Sequence, residues 1–127
     1  MIREEYYGTG NVSSKGPVWN TAGNTTKTNV STGKCVLLSI DAQNSGAAVA
    51  YLHFYNAAAA NVTVGTTTPK KSYMLPAGGG KVNELNLAIE FSTACSFAIT
   101  SNAGASGSTG VTNANEVVVN VEYFDKF

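Results

Sequence analysis

The sequence is poor in charged residues, in histidine and in long apolar runs. Charged residues make up 13% of its 127 residues, well below the roughly 25% usual in soluble globular domains. Eight basic and eight acidic residues give a formal net charge of zero, so the chain lacks the basic field that nucleic-acid binding requires. No apolar run approaches the roughly 18 residues of a membrane span. We therefore expect neither nucleic acid nor a membrane as a partner.

Cysteine is also scarce: the chain contains two, Cys35 and Cys95. The N-terminal MIREEYYGTG contains no apolar h-region, so we expect no secretory signal. The chain is then expected to fold first in a reducing cytosol, where structural disulfides are rare. Both cysteines lie inside apolar runs and no CxxC pattern is present. We expect two buried free thiols, with a disulfide between them as the alternative.

From residue 26 onward the chain consists of short runs in which apolar and polar residues alternate, separated by small, polar or Gly- and Pro-rich connections. This pattern predicts a single all-β domain over residues 26–127, an antiparallel β-sandwich of jelly-roll type. An immunoglobulin-like sandwich is the alternative. It fits less well because Trp19, the one tryptophan, precedes both cysteines instead of lying between them.

Two details of the predicted sandwich follow from turn signals and alternation. Residues 34–56 contain two apolar runs joined by the turn signal Asn44-Ser45-Gly46, which favours a β-hairpin. Residues 81–91 are expected to form one strand whose long apolar side chains share a face and supply much of the core; these are Leu85, Leu87, Ile89 and Phe91.

Residues 1–25 differ from the rest and are expected to form an extended N-terminal arm. They are rich in Gly, Ser, Asn and Thr but contain Tyr6, Tyr7 and Trp19. Two interpretations remain open. The arm is either an irregular strand or tail folded over its own domain, or it docks on another subunit through its aromatic rings.

A second aromatic group is expected on one strand face, where Tyr51, His53 and Tyr55 alternate with Ala50, Leu52 and Phe54. We call Tyr51, His53 and Tyr55 the aromatic stripe. It is either the half-exposed outer face of a strand or a subunit interface or ligand platform. A metal site is not expected there, because His53 is the one histidine and has no carboxylate or thiolate at ligand spacing.

Catalytic patterns are missing from the sequence. Carboxylates are few and scattered, and Glu116 and Glu122 stand six residues apart on one strand, farther than the paired carboxylates of glycosidases. No GxSxG nucleophile elbow occurs, and the glycine-rich LPAGGGK segment lacks the spacing of a phosphate-binding loop. We expect no enzyme, no catalytic residue and no cofactor.

Three phrases of the sequence, VGTTTP, LPAGGG and EFSTACSFAIT, carry a resemblance to known proteins. Together with YLHFYNA and the terminal VVVNVEYF, they make residues 47–124 similar to small structural proteins of tailed bacteriophages. The N-terminal arm lies outside this resemblance.

The resemblance implies a non-enzymatic virion protein, and a capsid decoration (cement) protein in particular. Such proteins are commonly small β-sandwiches assembled as trimers. The implied partners are the major capsid protein and further copies of the chain in a homotrimer. The implied location is the outer surface of the capsid, where the protein would bridge capsomers after synthesis in the host cytoplasm. A tail, neck or baseplate component and a carbohydrate-binding module that uses Tyr51 and Tyr55 are the alternatives.

Overall fold

A computed structural model describes residues 12–23, 25–102 and 107–125, and within them the regular secondary structure is almost entirely strand. A short 3-10 turn, η1 (Ala59–Asn61), is the exception. The strands are β1 (Val12–Trp19), β2 (Thr28–Ser31), β3 (Cys35–Asn44), β4 (Ala50–Tyr55), β5 (Lys71–Leu75), β6 (Gly80–Glu84), β7 (Ile89–Phe91), β8 (Cys95–Thr100) and β9 (Val117–Phe124).

These strands form two antiparallel sheets. The first has the order β1-β9-β3-β6, with β7 also paired to β3, and the second has the order β2-β8-β4-β5. Side chains from both sheets contribute to one buried cluster between them, which is the layer arrangement of a sandwich. The predicted all-β sandwich is therefore confirmed, and its jelly-roll type stays a prediction.

The core is built from the inward-facing positions of the central strands. On β9 every second residue, Val117, Val119 and Val121, is buried, as the alternation of the sequence predicted. The largest buried side chains come from both sheets and include Leu37, Ile40, Leu52, Phe54, Leu75, Phe91 and Phe97. Each fully buried side chain of this size stabilises the fold by roughly 1.5–3 kcal/mol, so this layer dominates the stability of the domain.

The predicted hairpin over residues 34–56 is wrong, because β3 and β4 lie in different sheets. The reason is the buried side chain of Asn44. Its Nδ2 donates to the carbonyl oxygens of Ala48 (2.8 Å) and Leu75 (3.1 Å), and its Oδ1 accepts from the amide of Gly46 (3.0 Å). These bonds hold the connection as an arch between the sheets, where a hairpin would keep its two strands in one sheet.

An irregularity in β3 changes which side chains face the core. The register with β9 shifts between Leu37 and Ser39, as expected of a β-bulge. Cys35 and Leu37 before the shift and Ile40 after it all join the core cluster. Val36 and Leu38 instead form a separate buried cluster with Phe124, on the opposite face of the sheet.

The predicted strand over residues 81–91 is also corrected, since it is two short strands separated by residues 85–88. Asn86 has a positive φ of 58°, a conformation that a continuing strand does not allow. The amide of Leu87 then donates to the carbonyl oxygen of Leu38 at 2.8 Å. As a result Leu85 is 66% exposed and does not contribute to the core, whereas Phe91 is fully buried.

Part of the predicted N-terminal arm belongs to the sheet. Residues 12–19 form β1, an edge strand that pairs antiparallel with β9. Val18 packs against the main core cluster. This matches the interpretation of the segment as a strand folded over its own domain, for residues 12–19. Residues 1–11, including Tyr6 and Tyr7, lie outside the described residues.

Candidate functional site

The aromatic stripe lies on the outer face of the four-stranded sheet, but most of it is buried. Leu52 and Phe54 point into the core, so the alternation predicted for β4 is correct. His53 and Tyr55 are each only 1% exposed, however, and the prediction that their rings are accessible is wrong. Tyr51 is half-buried and is the one member of the stripe with accessible surface.

Tyr55 is covered by the connection between β4 and β5, which folds back over the sheet. Its ring forms a small buried cluster with Val62 and Ala98, against which Ala57 and Val64 pack. Burial raises the pKa of Tyr55 above its usual value. Tyr55 therefore stabilises the fold of this connection and offers no surface to a partner.

His53 is held by a chain of hydrogen bonds that crosses three strands. Thr100 Oγ1 donates its one hydrogen to the carbonyl oxygen of Asn102 (2.8 Å), so it accepts from His53 Nε2 (3.1 Å). In the neutral ring Nδ1 then carries no hydrogen and accepts from the Ser72 hydroxyl (2.7 Å). Burial lowers the pKa of His53 below its usual value. Both ring nitrogens are occupied, which leaves neither of them for a metal ion.

The accessible apolar surface on this side of β4 and β5 is a patch formed by Tyr51 and Met74, which we call the Tyr51–Met74 patch. The two residues are cross-strand partners on β4 and β5, so their side chains share a face. Met74 is 54% exposed. The sequence did not single out Met74. Its signal was the alternation of Lys71, Tyr73 and Leu75 with Ser72 and Met74, which places Met74 on the same face as Ser72.

Among the described residues, Trp19 is the aromatic residue with the greatest exposure. It ends β1, pairs with Val118 of β9 and is 48% exposed. Beside it a cavity of about 110 Å³ opens between the edges of the two sheets. Its lining combines the apolar side chains Val18, Phe97 and Ile99 with Asn20, Thr21, Thr26 and Thr28.

Asn20, next to Trp19, fixes this corner of the sandwich. Its Oδ1 accepts from the amides of Glu116 and Val117, both at 2.9 Å. Its Nδ2 donates to the carbonyl oxygen of Asn113 at 2.8 Å. Asn20 is 7% exposed, and its side chain is occupied on both sides. It therefore acts as a clamp that positions the end of β1, and hence Trp19, against the start of β9.

The polar groups of the described residues do not converge on a reaction centre. Ser39 donates to Glu122 at 3.1 Å beside a shallow cavity of about 260 Å³ that Asp41 also lines. Within the same described ranges, no group of three or more His, Cys, Asp or Glu side chains is placed to hold a metal ion. None of the helical segments there has the length and hydrophobicity to cross a membrane.

Comparison of the chain with protein-family models, with curated proteins and with solved structures finds no match. Function must therefore be inferred from the residues and their arrangement.

Proposed function

We propose that the protein is a capsid decoration protein of a tailed bacteriophage, a non-enzymatic component that binds the outer surface of the assembled capsid. The observation that carries this proposal is the sequence resemblance over residues 47–124. The sandwich architecture is the one that the resemblance implies.

Two of the phrases that carry the resemblance, VGTTTP and LPAGGG, lie mainly in connections between strands. In VGTTTP the amides of Thr66 (2.9 Å) and Thr67 (2.8 Å) both donate to the carbonyl oxygen of Thr63. In LPAGGG the residues Gly78 and Gly79 have φ values of 74° and 96°, which favour glycine strongly. Their amides donate to the carbonyl oxygens of Gly46 and Asn44. Sequences that share these phrases are therefore expected to share the path of the chain.

The composition of the surface is suited to assembly. Only 13% of the residues are charged, and long charged side chains lose the most conformational entropy when they are ordered. Burying such a surface against a neighbour is less costly than burying one rich in Lys and Glu. A ligand that binds only the assembled shell stabilises that state by mass action, which is how a decoration protein that bridges capsomers would act.

The oligomer that we propose is a homotrimer whose contacts join two different surfaces. Trp19 lies on β1, an edge strand of one sheet, whereas the Tyr51–Met74 patch lies on β4 and β5, at the opposite edge of the other sheet. A contact between two different surfaces is head-to-tail and closes into a ring when the rotation permits. The major capsid protein and two further copies of the chain are the proposed partners.

The experiment that tests this function is co-sedimentation of the purified chain with capsids. Assembled empty capsids and unassembled major capsid protein are incubated separately with the chain and centrifuged. We expect saturable binding to the assembled capsids and none to the unassembled protein. Binding to tails or baseplates instead of capsids would favour the alternative virion location.

A carbohydrate-binding module is the second candidate, and it is favoured by Trp19. Protein surfaces that bind sugars use exposed rings, and Trp19 lies beside a cavity that Thr21 and Thr26 line. The burial of Tyr55 removes one of the two rings first considered for this role. Glycan-array binding that is lost in both Trp19→Ala and Tyr51→Ala would support this candidate.

A further inference from the structure

Two short connections cross between the sheets at the same end of the sandwich. One runs from Ser31 of β2 to Cys35 of β3, and the other runs from Phe91 of β7 to Cys95 of β8. Ser31 pairs with Cys95 in one sheet, and Cys35 pairs with Phe91 in the other. The two crossings therefore lie side by side and place the two cysteines on opposite sheets.

The side chains of Cys35 and Cys95 meet in the core. Both are completely buried and belong to the same core cluster, so both point inward from their sheets. Each thiol has the largest influence on the pKa of the other, through side-chain hydrogen bonding, and the Ser31 side chain acts on the pKa of Cys35 in the same way. A disulfide requires two cysteines whose side chains point toward each other at close range, and these two free thiols point from facing sheets into the same core cluster.

We propose that Cys35 and Cys95 are a latent inter-sheet disulfide, which a small-molecule disulfide such as oxidised glutathione closes and a thiol reductant reopens. This inference does not depend on the proposed function. It concerns a covalent link between the two sheets, which the thiols of the reduced, folded protein are positioned to form.

The reaction is a thiol–disulfide exchange in two steps. The sulfur of Cys35 attacks one sulfur of oxidised glutathione, a mixed disulfide forms, and the first glutathione leaves and takes up the proton lost by Cys35. The sulfur of Cys95 then attacks the Cys35 sulfur, and the second glutathione leaves with the Cys95 proton. Two cysteine thiols are oxidised and one glutathione disulfide is reduced to two thiols.

Cys35 is the residue that attacks first. Its hydrogen bond with Cys95 lowers the pKa of Cys35, whereas the same contact and burial raise the pKa of Cys95. Cys35 also follows directly after the exposed residues 32–34, so opening of this short crossing brings it to solvent. Because both thiols are buried in the closed fold, the rate of oxidation reports this local opening.

The disulfide would join Cys35 of β3 to Cys95 of β8, which are 60 positions apart in the chain (95 − 35). A link across so long a loop restricts the unfolded chain strongly. We therefore expect the melting temperature to rise by on the order of 10 °C on oxidation, and to return to its starting value when a reductant is added.

The experiment uses the full chain, purified under reducing conditions and then incubated in native buffer with oxidised glutathione. We expect intact-mass spectrometry to show the loss of two hydrogen atoms, and a non-reducing digest to yield one peptide pair that joins Cys35 to Cys95. The monomer band should persist on a non-reducing gel. Thermal melts of the reduced and oxidised protein measure the predicted stabilisation.

Two variants serve as controls. Cys35→Ala and Cys95→Ala should each form no internal disulfide and show no rise in melting temperature under the same treatment. The proposal is overturned if the wild-type protein gives only glutathione adducts or cross-linked dimers, or if it forms the internal bond only in denaturant. It is also overturned if the oxidised protein melts at a lower temperature than the reduced one. These outcomes need no variant, so a variant that fails to fold does not affect the test.

Discussion

The Ser72 hydroxyl donates a hydrogen bond to Nδ1 of His53 across 2.7 Å, from a residue at the sheet surface to a ring that is 1% exposed. The ring is neutral in this arrangement, because Nδ1 accepts and Nε2 donates to Thr100. A buried imidazole without a carboxylate partner resists protonation. The stability of the protein should therefore depend on pH through this one histidine.

We predict that the free energy of unfolding falls as the pH is lowered below about 6.5, the usual pKa of histidine. The pKa of His53 is lowered in the folded protein, so above pH 6.5 its full contribution is present. Below that pH the unfolded chain takes up a proton that the folded chain does not, and unfolding becomes easier. The slope attributable to one proton is at most about 1.4 kcal/mol per pH unit. Urea unfolding curves between pH 5 and pH 8 measure it.

His53→Gln is the matched variant for this test, because it keeps a donor and an acceptor without a titrating ring. His53 is the one histidine in the chain, and burial raises the pKa of its neighbour on β4, Tyr55, farther from this range. The variant should lose the slope between pH 5.5 and 7. An unchanged slope in His53→Gln would show that another group causes the pH dependence.

Asn20→Ala should destabilise the domain by roughly 2–3 kcal/mol, because it removes the acceptor of two backbone amides at the start of β9. These amides belong to Glu116 and Val117. Asn113→Ala is the control, since its side chain makes an exposed bond to Glu116 and its loss should cost no more than about 0.5 kcal/mol. Chemical denaturation of both variants measures these changes in the free energy of unfolding. Equal effects would show that Asn20 is not a clamp.

Gly16→Ala should destabilise the protein by about 1–3 kcal/mol from backbone strain alone. Gly16 has a φ of 133°, and an added Cβ would lie 2.7 Å from the carbonyl oxygen of Val119. Gly33→Ala is the control, because no atom lies within 4 Å of its added Cβ and its φ is not positive. We expect the melting temperature of Gly16→Ala to fall and that of Gly33→Ala to stay close to wild type. Similar melting temperatures would contradict the close approach of β1 to β9.

The sequence predicted those parts of the fold that depend on local alternation. The inward series of β9 and the alternation along β4 are both correct, because each follows from period two alone. The predictions that were wrong concern positions where the backbone is irregular. Leu85 continues a perfect alternation but is exposed, since Asn86 adopts a positive φ that nothing in the spacing reveals.

The candidate surface was harder to predict because burial of an outer sheet face is a non-local property. Tyr55 follows the same alternation as Tyr51. It is buried because residues 57–64 fold back over it, and the pattern of β4 contains no sign of that contact. Trp19 lies in a segment without apolar alternation, and its exposure agrees with that local feature of the sequence. Its position opposite Val118 of β9 could not be predicted in this way, because it depends on pairing between strands far apart in the sequence.

If the protein is a decoration protein that binds as a homotrimer, Trp19→Ala should weaken its binding to assembled capsids by at least tenfold, because it weakens the contact between subunits. An aromatic side chain at the centre of an interface commonly contributes 2 kcal/mol or more, by the order of magnitude found in alanine scans. Leu85→Ala is the control, because Leu85 is also exposed and apolar but lies outside the proposed contact surfaces. Equal binding of the two variants would remove Trp19 from the interface and leave the Tyr51–Met74 patch to be tested in the same way.

The most direct test of the proposed function is quantitative mass spectrometry of purified virions from cells that produce this chain, combined with immunogold labelling of intact particles. The proposal predicts that the chain is present in a fixed ratio to the major capsid protein, at a copy number of the order of the number of capsomer contacts, and that gold particles decorate the capsid. Absence of the chain from purified particles, or labelling confined to the tail, would contradict it.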